Sequence, residues 1–211
     1  MIKTSYGSGV YSIENFLTEE ERLEFINKSE VITKTSYGSG VYSIENFLTE
    51  EECLEFINKS EVIGYEEAMV MTREGAKMIK EIRNNDRVIF DNEGLAEDLF
   101  EKIKPFLPEE WEDWQLVGLN ERFRFYRYTP EQYFSWHKDG NYCRSDKEVS
   151  LLTFLMYLND DFQGGETEFP WQKIKPTRGM ALIFPHRLSH QGAPVLSGVK
   201  YIILVFKQFE R

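Results

Sequence analysis

The sequence predicts an α+β chain, mainly β, in which short strands close into a sandwich or small barrel supported by helices nearer the N-terminus. Three observations carry this. Beyond Asn120 the side-chain period becomes two, with Phe123 and Phe125 alternating with Arg122, Arg124, Tyr126 and Tyr128. Turn signals at Gly164-Gly165, Thr177-Arg178-Gly179 and Leu196-Ser197-Gly198 then cut the chain into strand-length pieces. Helical spacing belongs to the earlier half, where capping signals precede it.

A chain of 211 residues fits one domain of ordinary size plus an extension. Its 41% hydrophobic and 15% aromatic content is that of a globular protein. A net charge of −11 argues against nucleic-acid binding through the whole surface, while leaving room for a local basic pocket. Cys53 and Cys143 make no disulfide framework and suggest a reducing compartment. No apolar run approaches ~20 residues and the N-terminus lacks a signal-peptide core, so the expectation is a cytoplasmic protein with no membrane partner.

The chain opens on a repeat. Lys3–Ile32 returns as Lys34–Ile63, and Arg22 against Cys53 is the only difference. Solenoid repeats come as three or more diverged copies, so two near-identical ones indicate a recent tandem duplication or an assembly artefact. Each copy reads as a short strand followed by a helix. Thr18 with Glu21, and Thr49 with Glu52, are spaced as capping boxes. The acidic runs Glu19-Glu20-Glu21 and Glu50-Glu51-Glu52 suit solvated helix starts. Leu54, Phe56 and Ile57 give the second helix a partial apolar face. Only the second copy runs directly into the rest of the chain. Residues 1–33 are therefore expected to be an appendage, leaving a monomer or weak self-association through the spare copy, and residues 34–211 a single domain.

Short strand-like pieces follow at Ala68–Thr72 and Arg87–Phe90. Leu95, Leu99, Phe100 and Ile103 then space a helix from Leu95 to Phe106, which Pro105 and Pro108 end. The strand at Arg122–Tyr128 puts two Arg and two Tyr on one face, turned either to water or to a polar pocket. Ser150–Leu158, apolar on both faces, reads as buried. Glu166–Phe169, Met180–Phe184 and Lys200–Phe206 complete the strands. A double-stranded β-helix (jelly-roll, cupin-like) over about residues 118–211 would place residues of two sheets at one open mouth.

Trp136-His137-Lys138-Asp139-Gly140 and the distant His190 are the chemical focus. Two imidazoles and a carboxylate on one face of a metal are the ligand set of non-haem Fe(II) oxygenases, with the opposite positions open. Alone, a His-x-Asp is a weak signal. His186, four residues before His190, is read as structural or mouth-lining, because Pro185 and the strand pattern oppose a helical zinc pair. Phe134 and Trp136 are expected to pack beneath the metal loop, and Cys143 to be a bystander that oxidants reach. Lys200 begins a strand whose same-face neighbours are Ile202, Leu204 and Phe206, so alternation turns its ammonium inward. A buried ammonium is costly unless an anion meets it.

Several motifs together resemble the Fe(II)- and 2-oxoglutarate-dependent dioxygenases of the prolyl 4-hydroxylase-like branch. They are Arg127-Tyr128-Thr129-Pro130, Tyr157-Leu158-Asn159, Gly164-Gly165-Glu166-Thr167, His190-Gln191-Gly192 and Gly198-Val199-Lys200. The resemblance covers roughly the last two-thirds of the chain, and the second repeat copy resembles the family's opening segment. It implies that His137, Asp139 and His190 bind Fe(II), and that Lys200 pairs with the distal carboxylate of 2-oxoglutarate. It further implies that Tyr128, Thr167 and Tyr157 bond the cosubstrate, with ascorbate as reductant. One departure is Glu131, where many relatives have Gly after the Pro, which alters a loop beside the mouth.

The activity this implies is hydroxylation of a C–H bond with release of succinate and CO2, on a peptidyl residue with proline foremost. Two alternatives stand: a dioxygenase of a small molecule or free amino acid, and a cupin-like protein that binds metal or ligand without turnover. Lys200 and the Gly-Gly-Glu-Thr turn oppose the last, since a metal store has no use for a buried cosubstrate anchor. No nucleic-acid partner is expected.

Overall fold

The alternating segment forms the strand Arg122–Tyr128, paired antiparallel with Asp86–Asp91 on one side and Lys200–Glu210 on the other. It lies inside a large sheet in a computed structural model that describes residues 2–5, 10–14, 16–18, 32–72 and 75–210. Past Lys200–Glu210 the order runs through Glu148–Tyr157 and Ala181–Pro185 to the hairpin Val41–Glu45 and Thr33–Gly38. A four-stranded sheet, in the order Phe134–His137, His190–Gly192, Thr167–Phe169, Gln172–Ile174, faces it. Phe169 and Ile174 of the small sheet share one buried cluster with Tyr128, Leu155, Leu182 and Ile202 of the large one. Two facing sheets with their core between them make the jelly roll that the strand pattern predicts.

The other face of the large sheet is covered by two helices. Glu50–Ile63 starts at Thr49, whose hydroxyl accepts from the Glu52 N–H while the Glu52 carboxylate accepts from the Thr49 N–H, so the capping box forms. Glu93–Ile103 begins two residues earlier than its apolar spacing suggests, because the Asn92 side chain accepts from the Leu95 N–H. It ends at Ile103, where Pro105 leaves room only for the 3-10 turn Lys104–Phe106. Leu95, Leu99 and Ile103 pack with Phe56, Phe123, Phe125 and Phe154 in this second core. Strands at Thr33–Gly38, Trp114–Leu119 and Gln172–Ile174, each mixed in polarity, are additions to the sequence expectation.

The described residues of the first repeat copy lie against the large sheet. Its strand Val10–Glu14 pairs in parallel with Asp86–Asp91, and Ile2–Ser5 pairs outside it. The two copies thus border opposite ends of the same sheet. Phe16 is 1% exposed and stacks on Phe90 at 4.9 Å and Phe56 at 5.8 Å. Its twin Phe47 meets Phe154 edge-on at 5.3 Å in another part of the same core. Beyond its short pairing with Glu66–Glu67, the Asp86–Asp91 strand would otherwise end the sheet with unpaired backbone groups, and an identical hairpin can satisfy either edge. The helix expected after Thr18, including Glu21, lies outside the described residues.

Candidate active site

Strand pairing brings the distant histidines together: His137 ends one strand, His190 begins another, and the two are direct cross-strand partners. Asp139 follows on a loop tied back by its N–H to the His186 carbonyl at 3.1 Å. One ligand atom from each of His137, Asp139 and His190 lies within 4.8 Å of the others, and no second group of this kind is found among the described residues.

The hydrogen bonds fix how these donors point. The Ser135 carbonyl lies 2.7 Å from His137 Nδ1, and the Leu188 carbonyl 3.0 Å from His190 Nδ1. A carbonyl can only accept, so each Nδ1 carries the proton and each Nε2 keeps its lone pair. Both Nε2 atoms face the Asp139 carboxylate, one toward each oxygen, at 3.8 Å. That is too long for a hydrogen bond and suits ligands that each reach about 2 Å to a shared ion. The Thr153 hydroxyl donates to Asp139 Oδ2 and orients the carboxylate. Phe134 stacks on His137 at 3.5 Å, and Phe184 meets His190 edge-on at 4.6 Å. Burial, then the neighbouring His190, brings the His137 imidazole down to about 4, so it is neutral and ready to ligate at pH 7. The donor set therefore fits a divalent iron ion.

His186 stays outside the group. It is 2% exposed, packs on Phe206 at 4.4 Å, and burial lowers it to about 4. Trp136 does not pack beneath the metal loop: it is 47% exposed, and Phe134 alone takes that position. A register irregularity between Phe134 and His137 puts these two on one face and turns Trp136 out. Cys143 is exposed, and both cysteines are free.

A cavity opens beside the triad, lined by Tyr126, Tyr128, Thr167 and Lys200 together with His137 and His190. Lys200 is 2% exposed, and its ammonium donates to the Gly165 carbonyl at 2.6 Å. Burial brings it down to about 7, against the opposing pull of Glu166. Gly165 has φ +68°, and a Cβ there would meet Lys200 Cδ at 3.1 Å and Phe162 at 3.0 Å, so the turn requires glycine. Tyr157 stands one step back from the cavity. Its hydroxyl donates to Thr167 Oγ1 at 2.6 Å, which positions the threonine rather than touching the space. Glu131 has φ +71°, the backbone region that glycine prefers, and its N–H donates to the Val195 carbonyl at 2.8 Å.

Thr153 and the arginines Arg83 and Arg87 near Tyr126 were not singled out by sequence pattern. The face carrying Arg124, Tyr126 and Tyr128 was, and its two tyrosines line the cavity.

Residues 123–208 match the family model of the 2OG-Fe(II) oxygenase superfamily. An inferred prolyl 4-hydroxylase of Acanthamoeba polyphaga mimivirus is 36% identical over 151 residues, covering 58% of this chain and 57% of that protein. Prolyl 4-hydroxylase 1 of Arabidopsis thaliana is 35% identical over 104 residues, or 36% of each chain. The chain thus spans little more than half the length of these curated relatives, or less. The 2OG complex of the viral collagen prolyl hydroxylase from Paramecium Bursaria Chlorella virus-1 superposes with a TM-score of 0.59 at 28% identity, covering 81% of this chain and 97% of that one. The matched segment contains every member of the triad and Lys200, and over that segment the chain is similar to the 2OG-Fe(II) oxygenase superfamily and prolyl 4-hydroxylase-like in sequence and fold.

Proposed function

We propose that this protein is an Fe(II)- and 2-oxoglutarate-dependent dioxygenase that hydroxylates a peptidyl residue, proline foremost, releasing succinate and CO2. The observation that carries this is the pairing of a three-donor metal group with a buried, singly bonded ammonium across one small cavity. A metal store needs the first and has no use for the second.

Iron with a chelated 2-oxo acid supplies the activation of O2 and the oxidising equivalent. The chain supplies position and environment. His137, Asp139 and His190 would hold the ion from one side, leaving the remaining positions to cosubstrate and O2. Lys200 offers its N–H donors to the distal carboxylate, and Tyr128 and Thr167 line the path between. Leu155, Ile202, Leu204 and Phe184 wall the cavity with hydrocarbon, which excludes water from the reacting centre. The balance is one 2-oxoglutarate and one O2 consumed per C–H bond hydroxylated. The peptide assignment is supported by relatives whose names specify prolyl hydroxylation.

The test is an assay with Fe(II), 2-oxoglutarate and ascorbate against a panel of proline peptides and free amino acids. Succinate formation above the uncoupled background with a peptide, and a mass gain of one oxygen on its proline, is the expected result. Stimulation by amino acids alone would oppose the peptide assignment.

A further inference from the structure

Three guanidiniums gather beside the triad with no carboxylate paired to them among the described residues. Arg87 and Tyr126 are cross-strand partners, and Arg124 lies two residues along the same strand face. Arg83 arrives from the preceding segment, its guanidinium 4.7 Å from the Tyr126 ring centre and 4.3 Å from that of Phe134. It is 4% exposed and donates twice to Asn85 Oδ1. Arg124 lies over the Phe206 ring at 4.5 Å and otherwise reaches only the Arg122 carbonyl at 3.4 Å.

Nearby carboxylates are already taken. Arg122 holds Asp91 through two hydrogen bonds, and Arg127 holds Asp86 and Glu61. Asp139 acts on Arg124 from the metal group, but its oxygens face the histidines and Thr153. The excess of positive charge registers on Tyr126: burial pushes its hydroxyl up, yet Arg83, Arg87 and Arg124 together hold it below its ordinary value. Tyr126 lines the same cavity as His137, His190 and Lys200, so the cluster reaches that cavity through Tyr126. It does so in a chain of net charge −11. Holding uncompensated cations together in a desolvated place costs folding stability, which an arriving anion offsets. Lys200 accounts for the cosubstrate's distal carboxylate and the metal group would take its other carboxylate, so the anion in question belongs to the other substrate.

Resting on the peptide reading above, we propose that Arg87 and Arg124, backed by Arg83, form an anion subsite for an Asp or Glu side chain of the peptide, within about three residues of the position hydroxylated. The enzyme would thereby select acidic sequence around its target. Planar, bidentate recognition by guanidinium suits a carboxylate, and the aromatic faces of Tyr126, Phe134 and Phe206 hold the arginines ready.

The test compares proline peptides carrying Glu at positions one to three from the proline with the same peptides carrying Gln. Binding is read by fluorescence anisotropy on the Fe(II)- and 2-oxoglutarate-loaded protein under nitrogen, so no turnover is needed. The Glu peptides should bind at least about tenfold more tightly, and Arg124→Gln with Arg87→Gln should abolish the difference. Far-UV circular dichroism and retained iron should match the wild type, which shows that the variants fold. Arg87→Lys and Arg124→Lys should retain part of the preference. Equal binding of Glu and Gln peptides, or a preference that survives the double Gln variant, would overturn the subsite. If instead only free amino acids bind, with a dependence on Arg124, the anion subsite stands and the peptide reading falls.

Discussion

His137 and His190 sit directly opposite each other in the small sheet, ring centroids 4.2 Å apart. Neither can be moved without its partner, and each already spends Nδ1 on the carbonyl two residues before it. Replacing His137, Asp139 or His190 by Ala should each lower retained iron by at least about tenfold, since ligand and orienting losses of this kind cost 10–100-fold. His186→Ala should retain its iron, because that ring contacts Phe206 and Asn141 instead. Metal content after dialysis distinguishes the four proteins. Iron lost from His186→Ala but kept by His190→Ala would reverse the assignment.

Lys200 gives a pH dependence whose sign follows from its burial. Its ammonium sits at about 7 before an anion arrives, far below an ordinary lysine. Pairing with a carboxylate requires the protonated form, so cosubstrate binding takes up a proton once the pH passes 7. The KM for 2-oxoglutarate should be flat below pH 7 and rise above it, approaching about tenfold per unit. Lys200→Ala should raise that KM by about a hundredfold or more and abolish the pH dependence, with iron content unchanged. Steady-state kinetics across pH 6 to 9 would check both, with kcat/KM reporting the groups of the free enzyme.

The triad, Lys200 and the jelly roll were legible because their signals are local: residue type, spacing of two, and glycine turns. The fate of the repeat was not. Two near-identical sequences carry identical instructions, so no pattern within them says that Val10–Glu14 joins Asp86–Asp91 while Val41–Glu45 joins Ala181–Pro185. The arginine cluster was only half legible. Arg124 and Tyr126 announced a polar face, but Arg87 joins them through strand register and Arg83 through a separate segment. Trp136 left its expected place while Phe134 kept its own, because a local register shift, invisible to strict alternation, lies between Phe134 and His137.

The duplicated phenylalanines give a direct test of the first copy's place. Phe16 and Phe47 are 1% and 0% exposed, in different neighbourhoods of one core. Phe16→Ala and Phe47→Ala should each destabilise the protein by about 3–5 kcal/mol in urea unfolding. Were residues 1–33 only an appendage, Phe16→Ala would be silent while Phe47→Ala was not.

Lys207 is fully buried, and its ammonium has no hydrogen-bond partner among the described residues. Burial, and then the charge of Lys34, lowers it well below the usual lysine value. Between its folded and unfolded values the unfolded chain binds more protons, so stability rises with pH through that window and the penalty is fullest below it. Lys207→Met should therefore stabilise the protein by about 1–4 kcal/mol at pH 7, with the gain shrinking toward pH 10. Thermal melts at the two pH values measure it.

The most direct test counts products together. Wild-type protein, Fe(II), 2-oxoglutarate and a proline peptide would be followed for succinate and for peptide mass in the same reaction. Succinate above the uncoupled background and hydroxylated proline should form in equal amounts, and both should vanish in Asp139→Ala. Succinate that forms without any oxygen gained by peptide or amino acid, or hydroxylation that persists in Asp139→Ala, would contradict a triad-dependent hydroxylase.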